Sequence, residues 1–400
     1  MTILFRNKLF LSVIFGHLTL DIFNNMGPVI VTFYSISMGL NAFQIGLTLG
    51  LYQFVGSITQ PLFGWLADKA GTRWLGPGSV AWSIFFLVLS VIFANTTQNF
   101  LLFMIPYSLA SIGSGAFHPQ GAMHASTVDT ERAATATGLF FLFGQTGLAL
   151  GPLLGGFLLD RLEAVGIYGA AILSIPVLIF MVYGMQEANL QSSADSDDVE
   201  QETIGDKSVR WGAIGLLALI IGFRSWVTLG TVLFLPKLFQ TMGWAPTSYG
   251  AIAGAFWIGS ATAGVLGGYV ADRLGRRQVI TVTLIIGSIF VYFLPLNSGW
   301  LAFPIAICVG IFLGAPHSIL VVIGQDLLPG RRAFASGVTL GYLFGMGAIA
   351  AWCIGILTDI WTLNVVIQAG SLAGFIAAVL AIFLPSTRDQ NRSPVAASTS

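Results

Sequence analysis

The stretch from Gly64 to Trp74 reads G-W-L-A-D-K-A-G-T-R-W, and the stretch from Gly268 to Gln278 reads G-Y-V-A-D-R-L-G-R-R-Q. Gly64, Ala67, Asp68, Gly71 and Arg73 recur as Gly268, Ala271, Asp272, Gly275 and Arg277, each pair 204 residues apart in a chain of 400. A repeat at about half the chain length predicts two homologous halves. Each copy lies between two long apolar runs, where a tight charged turn would join two membrane helices.

Composition supports that setting. Only 8% of residues are charged and 55% are apolar, with 48 glycines and a mean hydropathy of +0.84. A soluble domain carries about 25% charged residues, so a polytopic membrane protein is expected. The net charge of zero argues against nucleic acid as a partner, which would need a basic stripe. Cys308 and Cys353 lie in apolar runs without redox or metal-ligand spacing and read as small buried residues. The start, Arg6-Asn7-Lys8 and an apolar run to about Tyr34, is too long for a signal peptide's core and has no small-residue cleavage site. It is expected to stay as the first span.

A spanning helix needs about 20 mostly apolar residues. Runs of that kind begin near residues 9, 43, 76, 99, 134, 166, 209, 246, 279, 301, 334 and 363, six on each side of a polar segment. This divides the chain into a bundle over 1–186, a linker over 187–208, a bundle over 209–386 and a tail over 387–400. The linker's acids and serines cannot bury a core. With the N-terminus inside, 14 of the 17 Lys and Arg fall in cytoplasmic segments. The positive-inside rule then puts both termini and both copies of the repeated loop in the cytoplasm. A second internal match, Gly156 to Asp160 (G-F-L-L-D) with Gly355 to Asp359 (G-I-L-T-D), ends the fifth and eleventh spans.

The repeated loop resembles the G-x-L-A-D-R-x-G-R-R/K loop of the major facilitator superfamily, and the resemblance covers nearly the whole chain. The second copy is the better match, because Thr72 replaces the Arg expected in the first. The resemblance implies an all-α membrane fold of two six-helix bundles with pseudo-twofold symmetry, around a central cavity that opens to each side in turn. It also implies that Gly64, Asp68, Gly71, Arg73, Gly268, Asp272, Gly275, Arg276 and Arg277 form gating loops that latch the cytoplasmic side. On the residues alone, a well-made interfacial turn stays open. Its carboxylates lie near helix ends and its glycines allow the sharp bend.

The fifth span carries Gly138, Gly147, Gly151, Pro152, Gly155 and Gly156, spaced as in the motif that marks the family's proton-coupled exporters. Small residues at this spacing also let two helices approach closely, so a packing face alone is the other reading. Finer resemblance points to the fosmidomycin-resistance-like subgroup. It rests on Gly16-His17-Leu18 with Asp21, Gln60-Pro61, Gly113 to Pro119, Arg224-Ser225-Trp226, and Gln325 to Arg331. That subgroup often has an acid after His-Pro, where this chain has Gln120.

An ionised side chain inside a bilayer costs about 2.5–3.5 kcal/mol on insertion scales, so each one is a functional candidate. Asp21 and Arg224 lie deep in the first spans of the two halves. His17, Asp21, Asn24 and Pro28 form one helical stripe. Tyr107, Ser111, Ser114 and His118 form another. Spans one, four, seven and ten thus carry Asp21, His118, Arg224 and His317, and in the resembled fold these four helices line the cavity. The expected proton-coupling residues are Asp21, His17 and His118. The expected cavity residues are Asn24, Gln53, Tyr107, Ser114, Gln120, Gln145, Arg224, Thr228, Trp257 and His317. An Asp21–Arg224 bridge between the halves is an alternative structural reading.

The leading expectation is a secondary transporter that exports small organic molecules or antibiotics in exchange for protons, acting as a monomer in the inner membrane. An uptake symporter or uniporter for a small metabolite is the alternative. An intramembrane enzyme or a sensor finds little support. The sequence has no H-E-x-x-H zinc site, no G-x-S-x-G nucleophile turn and no Walker loop, and His118 and His124 have no acid nearby in the chain. Neither a cofactor nor a metal is expected; the partners are a small-molecule substrate, protons and the lipid bilayer.

Overall fold

The computed structural model of the chain describes residues 4–70, 73–129, 132–186, 211–327 and 332–384. The expected linker, the tail, Gly71 and the Asp68 side chain lie outside what is described. Every described element is helical: α1 Lys8–Ser37, α2 Ala42–Ala70, α3 Leu75–Thr96 and α4 Phe100–Thr127. The helical stretch Ala133–Gly184 is broken by Glu163 at φ 51°, which makes it α5 (133–162) and α6 (164–184). The second half holds α7 Trp211–Thr241, α8 Pro246–Leu274, α9 Arg276–Phe293, α10 Ala302–Leu327, α11 Arg332–Thr358 and α12 Leu363–Ala381. All twelve begin within three residues of the positions expected from hydropathy.

Helices are the form that satisfies the backbone inside lipid. Their ends are set by polar residues. Asn7 caps α1 by accepting the Phe10 N–H at 3.0 Å, and Asn99 caps α4 by accepting from Leu101 and Leu102. At α2, Asn41 and Gln44 exchange bonds in a capping box: Gln44 N–H to Asn41 Oδ1 at 2.8 Å and Asn41 N–H to Gln44 Oε1 at 3.0 Å. In the repeated loop, Gly275 joins α8 to α9 at φ +99°, a backbone that other residues rarely adopt. The most apolar windows of α1 and α7 are 61% and 72% buried against 22% for 135–184, so the two ionisable first helices are interior.

The halves meet along α2 with α11, α5 with α8, and α1 with α7. The internal repeat builds the first two seams alike. A Cβ on Gly156 of α5 would lie 3.1 Å from the Gly250 Cα of α8, and one on Gly355 of α11 would lie 3.2 Å from the Gly46 Cα of α2. One turn beyond each glycine stands an aspartate that reaches the partner helix. Asp359 accepts the Ala42 and Phe43 N–H groups at 3.1 and 3.3 Å, and Asp160 accepts the Thr247 hydroxyl at 2.5 Å. With the capping box, the first three N–H groups of α2 are all satisfied. Lys237 and Gln240 of α7 complete this end of the bundle by binding Ser35 and the Thr32 carbonyl of α1, at 2.9 and 2.7 Å.

These seams make an ordered prediction. Gly355→Leu places a side chain against the Ala42 carbonyl and should lower the thermal unfolding midpoint of the purified protein more than Asp359→Asn, which loses only exposed capping bonds. Midpoints equal to that of the unsubstituted chain would show that neither contact holds the halves together.

Candidate functional site

The buried charges of the first half converge on Asp21. Its Oδ2 lies 3.1 Å from His17 Nε2 one turn earlier on α1, and its Oδ1 lies 3.5 Å from His118 Nε2 on α4. The far nitrogen of each ring is held by a carbonyl: His17 Nδ1 by Phe140 O of α5 at 2.9 Å, and His118 Nδ1 by Ser114 O at 2.8 Å. A carbonyl only accepts, so each Nδ1 carries a hydrogen and each Nε2 is turned toward the carboxylate. A neutral ring so held offers Asp21 a lone pair, and a proton must lie between them for attraction. The three groups therefore form one contiguous unit across α1 and α4.

A polar chain leads away from this unit. Asn24 donates to Asp21 Oδ1 at 3.3 Å and to Ser114 Oγ at 3.1 Å, while Tyr52 of α2 donates to Asn24 Oδ1 at 2.5 Å. Tyr107 is buried beside Tyr52, with ring centres 5.1 Å apart. Access is one-sided: the side chains of His17 and Asp21 are 2% and 6% exposed, whereas that of His118 is 32% exposed. The absence of an acid near His118 in the chain misleads, because folding brings Asp21 to it from another helix. The ligand-type atoms of His17, Asp21 and His118 lie within 4.8 Å of one another.

Space for the unit comes from α5. The His17 ring stacks on Phe140 at 4.0 Å and occupies the place that a Cβ on Gly144 would take. Gly147 lets α5 sit against Asp21, where an added Cβ would be 2.9 Å from the Asp21 Cβ, and Gly151 and Gly155 follow against Ile22 and Met26. Gly156 turns instead to α8, and Pro152 presents its carbonyl there. Gly138 has open space around it. The motif thus packs α5 on α1 directly behind the carboxylate. Gly144 and Tyr52 were missed in the sequence. Gly144 continues the stripe Gly147, Gly151, Gly155 back by one helical step, and a tyrosine hydroxyl within a span needs a partner.

The second half is built differently. Arg224 is 3% exposed and donates through Nη2 to Leu313 O of α10 at 2.8 Å. Its ion pair with Asp21 is not formed. Thr228 is buried one turn on, and His317 of α10 lies within electrostatic reach of Arg224. Other expected cavity residues disperse. Gln120 is buried, with its Oε1 near Gly76 of α3 and its amide on Ala116 O at 3.0 Å. Trp257 lines a small void with Asn25, Pro28, Pro152 and Pro236 where α1, α5, α7 and α8 meet. Gln53 is half-buried on α2, and Gln145 keeps its Oε1 buried without a partner. In the loops, Arg73 lies over the Trp74 ring at 5.2 Å and Arg276 pairs with Asp326 at 2.5 Å, while Arg277 reaches Ile382 O at 3.3 Å. Gly64 and Gly268 are half-buried, and Asp272 is exposed.

The family model for the Major Facilitator Superfamily matches this sequence twice, over residues 9–244 and 214–399. The chain belongs to the Major Facilitator Superfamily. It is accordingly a multi-pass membrane transporter and not an enzyme. The MFS-type transporter YfnC of Bacillus subtilis (strain 168) is 27% identical over 378 residues, covering 92% of this chain and 91% of its own. The fosmidomycin resistance protein of Escherichia coli (strain K12) is 26% identical over 383 residues, covering 94% and 92%. The fosmidomycin-resistance-like resemblance of the sequence therefore holds. The fold is shared with a bacterial homologue of the lysosomal transporter Spinster, at a TM-score of 0.73, 14% identity and 95% coverage of both chains.

The fit between α5 and His17 can be measured. Gly144→Val should destabilise the protein by about 1–3 kcal/mol through overpacking. In a His17→Ala background the loss should shrink by at least about 0.5 kcal/mol, since the colliding ring is gone. Strictly additive losses would place the ring elsewhere.

Proposed function

We propose that this superfamily member exports small organic molecules or antibiotics in exchange for protons, by alternating access. The observation that carries the reading is the buried carboxylate of Asp21 held between two oriented imidazoles. No bond to lipid explains such a unit, and a unit that binds and releases protons inside a transporter is a coupling device. The drug-resistance relative supports export of an antibiotic, and the exporter-like glycine motif packs against the same carboxylate. On this reading the protein works as a monomer in the inner membrane with both termini cytoplasmic.

In that orientation the α2–α11 and α5–α8 seams close the outer face, and His118 is the member of the unit open to the cytoplasmic side. When the seams part, Asp21 and the two histidines load a proton from outside. When they close again, the proton leaves by way of His118 and substrate binds from the cytoplasmic side. The repeated loops, with Gly275 at the turn, hold the cytoplasmic ends while the outer face is open; with the outer face closed, Arg276 pairs with Asp326 inside its own half.

A transporter-deficient strain challenged with an antibiotic panel would identify a compound against which the chain protects. Its accumulation in inverted vesicles should rise with an imposed inward-acid gradient, and Asp21→Asn should remove that dependence. Gradient-driven accumulation that Asp21→Asn leaves unchanged would exclude Asp21 as carrier. Accumulation confined to right-side-out vesicles would instead establish uptake.

A further inference from the structure

Arg224 is an unbalanced charge. It is 3% exposed in the middle of α7, its Nη2 bond to the Leu313 carbonyl at 2.8 Å is a bond to a neutral group, and its Nε finds no acceptor. Among the described residues it takes part in no ion pair. The counter-charge cannot come from its own half: between residues 211 and 384 the acids are Asp272, Asp326 and Asp359, all at helix ends. Asp326 is paired with Arg276 and Asp359 with the start of α2. Nor does it come from Asp21, which His17 and His118 occupy.

A guanidinium kept out of water without a carboxylate is destabilising, and replacing such a group by an apolar one of similar volume is often neutral or stabilising. Retaining it implies that an anion supplies the missing partner at some stage of the cycle. The surroundings fit one. The Thr228 hydroxyl, one helical turn along the same face, is 5% exposed and has no partner, and His317 stands across on α10. A planar fork of N–H donors beside a hydroxyl is suited to a carboxylate, phosphonate or sulfonate.

We infer that the transported molecule is a small organic anion whose acidic group is held by Arg224 and Thr228 in the second half, apart from the proton-sharing unit of the first. This deepens the transport reading by naming the substrate class. Its test uses no gradient, so proton coupling can fail while this stands, and the reverse.

The full-length protein, purified without a histidine tag, would be followed by thermal unfolding with benzoate, phenylphosphonate, benzenesulfonate, neutral benzamide and chloride. At least one organic anion should raise the midpoint of the unsubstituted chain, while benzamide and chloride should not, and Arg224→Met should abolish the shift. Without any anion, Arg224→Met should unfold at the same temperature or about 2 °C higher, because an unpaired buried charge has gone. Arg224→Lys, which keeps the charge but not the fork, should bind the effective anion at least tenfold more weakly. If Arg224→Met lowers the anion-free midpoint by several degrees, Arg224 is structural and the inference is overturned. It is equally overturned if benzamide or chloride matches the organic anions, or if none of the three shifts the midpoint.

Discussion

A carboxylate in the middle of an apolar helix must find its partners inside the protein, since lipid offers none. Asp21 finds them in His17, one turn away, and His118, on α4. That requirement propagates outward. The histidine rings need carbonyls to fix their orientation, the His17 ring needs the space left by Gly144, and α5 must approach α1 closely enough to present the Phe140 carbonyl. The glycine stripe of α5 is the sequence's answer to that approach. One charged residue thus dictates how three helices of the first half pack.

The two halves share a plan but not a chemistry. The repeat gives each half six helices, a glycine-paired seam with the other half, and an aspartate that reaches across at the end of α5 or α11. Inside, the symmetry breaks. The first half encloses an acid between two imidazoles; the second encloses a guanidinium with a hydroxyl and a histidine. The duplicated scaffold thus holds a carboxylate in one interior and a guanidinium in the other.

Much of this was legible in the residues. The loop repeat and the hydropathy runs placed the starts of the twelve helices to within three residues, because span length and backbone satisfaction leave few choices. The helical stripe of His17, Asp21 and Asn24 gave the core of the site. What sequence could not show is which face a polar residue takes when two are open to it. Gln120 follows His118 by two positions, yet is turned toward α3 and buried there. Asp21 and Arg224 are opposite charges on equivalent helices, yet each is satisfied or left wanting within its own half. The Asp21–His118 contact is non-local, and only the packing of α1 on α4 reveals it.

On the proposed function, protons bind within the membrane at the unit formed by Asp21, His17 and His118. The most direct measurement is the charge displaced by a pH jump across protein adsorbed on a solid-supported membrane, with no substrate present. The unsubstituted chain should give a transient current from protons entering the unit, and Asp21→Asn should give none. Transients of equal size from the two proteins would contradict the account.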